Sequence, residues 1–205
     1  MNLIVWVCVA KESFVVGFLD SFVLLILNTN FKFCLKKTLE YCNVYNKIVP
    51  HGNQLHGKII TIINRSEVIG RPLAALLAND GAKVYSIDLT DVLEFHRGSG
   101  LTLRKHVVVD STMKLEQVLP ISDVVITGVP SKTYRVPTQL LKEGVVAINF
   151  SSWKNFEDDI LNKASVYVPS VGKVTVTMLQ RNLLRLRHYQ IEIAKIESES
   201  VKKEE

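Results

Sequence analysis

Short runs of β-branched residues, each followed by a turn and a helical pattern, confine this chain to few architectures. Lys58–Ile63 (KIITII) is the clearest run and suits a strand buried on both faces. Asn64–Ile69 reads as a polar turn, and Gly70-Arg71-Pro72 opens a helix over Leu73–Asn79. Pro72 suits the first turn, where a missing N–H costs nothing, and Gly81 suits the helix end, where φ is often positive. Further strands are expected at Ala82–Ile87, His106–Val109, Asp123–Thr127, Val145–Phe150 and Val166–Val168. Before them, Leu35, Leu39, Cys42 and Tyr45 mark one face of a helix over Leu35–Asn46. After them, an amphipathic pattern runs from Thr175 to about Glu197, and the charged tail Ser198–Glu205 is expected to fray. Strands alternating with helices predict an α/β fold, doubly wound, with a mostly parallel sheet and flanking helices. Such sheets bind ligands beyond the carboxyl ends of their strands. The segments to watch are therefore Asn64–Arg71, Asp88, Thr127–Pro130, Asn149–Ser151 and Pro169–Thr175.

Of the 205 residues, 47% are hydrophobic and 22% charged, which excludes a disordered or low-complexity chain. The net charge of +5 is spread rather than striped, so nucleic acid is not an expected partner. Three cysteines without a C-x-x-C pair point to a reducing, cytoplasmic setting, and five histidines without zinc spacing predict no metal. Residues 1–31 differ in kind, with only Lys11, Glu12 and Asp20 charged. No apolar run there reaches the ~18–20 residues a bilayer span needs. Three readings stay open for this stretch: an anchor, a buried piece of a larger fold, or misassigned upstream sequence. The expected division is an atypical segment 1–34, a domain over 35–190 and a charged tail over 191–205.

The turn after the first strand carries the chemistry. A dinucleotide fold presents a tight turn and the N–H groups of a helix N-terminus to a pyrophosphate, usually through G-x-G-x-x-G. Here Asn64 and Ser66 occupy the first two glycine positions, and Gly70 arrives one residue late. Asn tolerates left-handed backbone, Ser offers a hydroxyl, and Arg65 and Arg71 can neutralise phosphate charge. The alternative is a structural turn with no ligand. Asp88 lies 18 residues after Gly70 at the end of the second strand. A carboxylate there accepts hydrogen bonds from ribose hydroxyls and repels a 2′-phosphate, which favours NAD over NADP. Arg65 is the opposing feature, because a nearby guanidinium tolerates that phosphate.

The segment Asn64–Ala82 (NRSEVIGRPLAALLANDGA) resembles the cofactor turn and first helix of the methylenetetrahydrofolate dehydrogenases, most like their fungal cytosolic NAD-dependent branch. Arg97-Gly98 with Lys105-His106, Asp123–Pro130, Gly144–Phe150, Lys154-Asn155-Phe156 and Tyr167–Leu186 extend the resemblance from about Leu35 to Arg187. The resemblance implies a Rossmann-like cofactor domain that serves hydride transfer from 5,10-methylenetetrahydrofolate to NAD. It also implies a folate substrate, a homodimer, and no membrane partner. It assigns Asn64, Arg65, Ser66, Ile69, Gly70 and Arg71 to the pyrophosphate region, and Asp88 and Leu89 to the adenosine ribose. Thr127, Gly128, Val129 and Pro130 would shape the crevice, with Asn149, Gly172 and Thr175 at the nicotinamide end. No acid–base catalyst is implied. The family's folate-binding domain has no counterpart in residues 1–34, so the chain is expected to bind NAD and turn over poorly. A non-catalytic dinucleotide-binding or dimerisation module is the alternative, and a peripheral membrane protein a distant third.

Overall fold

A computed structural model describes residues 34–98 and 105–204. Residues Leu35–Val171 form one compact unit, and the helix Gly172–Glu204 belongs to a second. The readings made for residues 1–31 lie outside the described residues. Among the described residues, no helix is long and apolar enough to cross a membrane.

The described residues open with helix α1 (residues 34–41). Strand β1 (Ile59–Ile63) follows, then helix α2 (Gly70–Asn79), β2 (Lys83–Ile87), β3 (Val92–Arg97) and β4 (His106–Asp110). After a short helix α3 (Leu115–Val118) come β5 (Val124–Thr127), β6 (Val145–Asn149), helix α4 (Ile160–Lys163) and β7 (Ala164–Val168). The seven strands form one sheet in the order β4-β3-β2-β1-β5-β6-β7. β2, β1, β5, β6 and β7 run parallel, with Ile60 opposite both Val84 and Val124. β5 and β6 are buried at every position, as expected of Val- and Ile-rich strands covered on both faces. One core cluster gathers Tyr85, Val118, Leu119, Val125, Ala147, Phe156 and Ile160. Helix α2 packs on the sheet through Leu73, Ala74, Leu77 and Ala78.

Local chemistry ends the helices where the sequence allows it. At α2, Gly81 takes φ +101°, its N–H bonds Ala78 O, and the N–H of Ala82 bonds Leu77 O. This Schellman arrangement satisfies the last free carbonyls. Helix α1 stops the same way, with Asn43 at φ 57° and the N–H of Val44 bonded to Leu39 O. The helix expected over Leu35–Asn46 is therefore shorter. Tyr45 is buried, but it lies beyond the helix and donates its hydroxyl to Asp80 at 2.8 Å.

Two further expectations change. Val92–Arg97 was not expected as a strand. It pairs antiparallel with β2 through a turn in which the N–H of Asp88 bonds Asp91 O. β4 pairs antiparallel with β3 and so runs in the direction of β2. Its carboxyl end emerges on the same side as those of β1, β2 and β5. The long helix is also more extensive than its amphipathic pattern, running unbroken to Glu204 across the tail expected to fray.

At the opposite end of the sheet, Asp123 ties β5 to β1. Its Oδ2 accepts the N–H of Ile59 at 3.0 Å, and its Oδ1 accepts Lys142 Nζ at 2.6 Å. Burial disfavours this carboxylate, but Lys142 and the Ile59 N–H outweigh it and hold its pKa below the usual aspartate range. A carboxylate depressed in the folded state stabilises above its unfolded pKa, about 3.9, and loses that contribution as pH falls through the folded value. Asp123→Asn should therefore cost about 1 kcal/mol at neutral pH, less than the ~1.5–3 kcal/mol of a fully buried charged hydrogen bond because Lys142 is half-exposed. Urea unfolding checks this, and the gap from the parent should close on acidification below about pH 4.

Candidate functional site

The order of the strands reverses at β1, which has β2 on one side and β5 on the other. A crevice at the carboxyl ends of such strands is the usual place for a ligand. Asn64 leaves β1 at this point and bridges it. Its Nδ2 donates to Gly128 O at 2.7 Å, and its Oδ1 accepts the N–H of Ser66 at 2.7 Å. The backbone of Asn64 is close to extended, at φ 159°. Asn64 therefore acts through its side-chain amide, not through the left-handed tolerance expected from its residue type.

Gly70 fits beneath this turn. A Cβ at Gly70 would stand 1.8 Å from Asn64 O, so only hydrogen leaves room for the carbonyl. Ser66 then folds back over the start of α2. Its Oγ accepts the N–H groups of Ile69 and Gly70, each at 3.2 Å, and its carbonyl accepts that of Arg71 at 3.0 Å. Pro72 has no N–H to offer. These donors were expected to hold pyrophosphate; the chain itself already satisfies them. Among the described residues, the hydroxyl proton of Ser66 has no acceptor and remains available to a ligand. The side chain of Arg71 pairs with Glu67 at 3.0 Å on the surface instead of entering the crevice.

Beside the turn lies an open cleft of about 990 Å³, within the size range of small-molecule and cofactor sites. Asn64, Arg65 and Ser66 form one wall, and Ile87 through Val92 a second. Ser111 through Glu116 and Val129, Pro130, Ser131 and Tyr134 complete it. Asp88 is exposed here and uses Oδ1 to accept the N–H of Leu89, a residue that is 98% exposed. Asp88 Oδ2 has no partner among the described residues and can accept a hydroxyl. Burial raises the pKa of the Tyr134 phenol.

Other predicted residues serve the framework. Thr127 is fully buried, and its hydroxyl donates to Asn155 Oδ1 at 3.2 Å. Asn155 also accepts the N–H of Val129 at 3.0 Å and donates to Val129 O at 3.1 Å. It thereby fixes the loop that carries Val129 and Pro130 into the cleft. A Cβ at Gly128 would lie 1.9 Å from the Phe150 ring, so packing accounts for that glycine. Asn149 was expected at the nicotinamide end. Its amide instead donates to Trp153 O and Pro169 O and accepts the N–H of Ser151, which occupies it with local loops. Gly172 and Thr175 lie in the first turn of α5 (Gly172–Glu204), in the second unit.

The chain is 60% identical over 156 residues to a methylenetetrahydrofolate dehydrogenase [NAD(+)] of Schizosaccharomyces pombe, a match covering 76% of this chain and 49% of the relative. The enzyme of the same name from Saccharomyces cerevisiae is 56% identical over 154 residues, covering 73% of this chain and 48% of that protein. The solved structure of the NAD-dependent 5,10-methylenetetrahydrofolate dehydrogenase from S. cerevisiae superposes with a TM-score of 0.73 at 51% identity. It covers 81% of this chain and 53% of that one. Over this region the chain is similar in sequence and in fold to NAD-dependent methylenetetrahydrofolate dehydrogenases. It spans about half the length of the curated relatives it matches. No family model matches it.

The residues just past each expected strand account for much of the cleft but not all of it. Ser111 through Glu116 follow β4 and meet the same criterion, so the expected strand at His106–Val109 already pointed to them. Asp91, Tyr134 and Asn155 carried no such local signal. Gly70→Ala should lower stability by about 1–3 kcal/mol, the usual cost of overpacking, because a backbone carbonyl must move. A thermal melt of the variant tests this, with an unchanged midpoint contradicting the close approach.

Proposed function

We propose that this chain binds NAD in the cleft beyond β1, β2, β4 and β5, as the cofactor half of a methylenetetrahydrofolate dehydrogenase. The observation that carries the reading is the pairing of an open cleft at the sheet's reversal point with Asp88 Oδ2, which has no partner among the described residues. The residues present fit such a group. Ile63, Val92, Met113 and Leu115 supply apolar walls for a flat base, Asp88 an acceptor for sugar hydroxyls, and Ser66 a donor for phosphate.

When bound, the nicotinamide supplies a hydride acceptor. The chain's own residues position. Asn64 keeps the turn joined to the β5 loop, and Asn155 keeps that loop in place. Asp88 orients a ribose and disfavours a phosphate ester on it, and Ser66 donates to a phosphate oxygen. Removal of a hydride from a methylene carbon between two nitrogens leaves a cation that those nitrogens stabilise. The protein's part is therefore alignment, not proton transfer. On this reading the substrate is 5,10-methylenetetrahydrofolate, the active form is a homodimer, and the setting is cytoplasmic. Residues 1–205 hold cofactor but turn over slowly. A dehydrogenase assay on this chain, with the full-length fission yeast relative alongside, tests the last statement; equal rates would overturn it.

Calorimetric titration with NAD and NADP tests the cofactor reading. NAD should bind more tightly. Asp88→Ser should weaken NAD by roughly tenfold, the loss of about 1.4 kcal/mol in hydrogen bonding to a charged group, and narrow the gap to NADP. Failure of the parent chain to bind either dinucleotide would remove the proposal.

A further inference from the structure

Arg65 is the one basic side chain in the phosphate turn that lies against the cleft, and its charge should welcome an anionic sugar substituent. The structure holds it otherwise. Its Nη1 donates to Asp91 Oδ1 at 2.7 Å, and its Nη2 donates to Ser86 O at 2.7 Å and to Asp91 O at 3.0 Å. The Arg65 side chain is only 10% exposed, whereas that of Asp91 is 49% exposed. Arg65 Nε is buried with no partner among the described residues. The guanidinium is thus fixed by two backbone carbonyls and neutralised by one carboxylate. Both carbonyls belong to β2 or the hairpin that follows it. That hairpin also carries Asp88, three residues before Asp91, closed by the N–H of Asp88 on Asp91 O.

We propose that Asp91 is a specificity-determining residue for the dinucleotide, acting by pairing with Arg65 so that the guanidinium is withheld from a 2′-phosphate. This inference rests on the cleft being the dinucleotide site. Asp88 supplies one half of the discrimination, by direct repulsion from a position open to solvent. Asp91 supplies the other half at a distance, by neutralising the cation that would offset that repulsion. The remaining charged side chains lining the cleft are Lys114 and Glu116, of opposite sign. The cleft therefore holds two cations against three carboxylates, and loss of the Asp91 charge brings them level. Asp91→Asn is nearly isosteric, keeps an acceptor for Nη1 and leaves the carbonyl contacts in place. It leaves the guanidinium without a compensating charge beside the wall that carries Asp88.

The experiment is a calorimetric titration of the full 205-residue chain and its variants with NAD and with NADP, alongside thermal melts. Asp91→Asn should shift the ratio of the two Kd values toward NADP by about tenfold, one close charge interaction in a partly solvated site. The shift should shrink in high salt, as expected of a charge effect at an open cleft. Asp91→Glu, which restores the carboxylate, should return the ratio toward the parent value. Asp91→Asn combined with Arg65→Gln should abolish the gain. Arg65→Gln alone, which leaves Asp91 unpaired, should move the ratio further toward NAD, and this variant decides the matter if Asp91→Asn does not fold. An unchanged ratio in a folded Asp91→Asn that still binds NAD would overturn the inference and leave the site reading standing. So would a gain that persists without Arg65. A parent chain that binds neither dinucleotide would overturn both.

Discussion

The amide of Asn64 joins the two halves of the sheet where they diverge. On one side it receives the N–H of Ser66 and so shapes the turn into α2; on the other it donates to Gly128 at the exit of β5. A reversal in strand order leaves a gap between the two emerging loops. Without a tie across it, the loops would be placed only by their own strands. With it, the position of one wall of the cleft fixes the position of another. Gly70 makes the tie feasible, because any side chain there would displace the carbonyl of the residue that forms it.

Charge is distributed in this cleft with little redundancy. Asp88 and Asp91 sit at the two ends of one tight turn, and they do different work because their partners differ. Among the described residues the Asp88 carboxylate accepts only the adjacent N–H of Leu89, so it has acceptor capacity to spare. Asp91 is spent on Arg65. Composition alone would count two acids and a base near one another; hydrogen bonding separates a carboxylate with no cationic partner from one that is paired. The buried Thr61–Ser122 contact illustrates the same logic in the core. The Ser122 hydroxyl donates to Val118 O at 2.8 Å, so Thr61, 2.6 Å away, must be the donor to Ser122.

What could be read from the sequence was what local geometry dictates. The β-branched run before Asn64, the proline inside the first turn of α2 and the glycine after it state a strand, a turn and a helix without reference to anything distant. Asn43 was as local a signal, yet the apolar spacing through Cys42 and Tyr45 masked it, because burial outside a helix mimics burial on its face. Strand β3 escaped because Val92–Arg97 neither alternates nor forms a continuous apolar run; its partner strands, not its pattern, make it a strand. The role of Ser66 was half visible: its hydroxyl was expected to meet phosphate, but the helix uses its lone pairs first. Asp91, 26 positions from Arg65, and Asn155, 26 from Val129, lie beyond the reach of any periodicity.

The self-contained start of α2 has a thermodynamic corollary. Because Ser66 accepts the N–H groups of Ile69, Gly70 and Arg71 and Pro72 has none, the backbone donors that open α2 are met by the chain itself, and an empty neighbouring cleft leaves none of them in want of a partner. An occupant would then be selected by a preformed recess, not by one it must organise. Its contribution to resistance against unfolding would follow mass action alone, growing with the logarithm of its concentration.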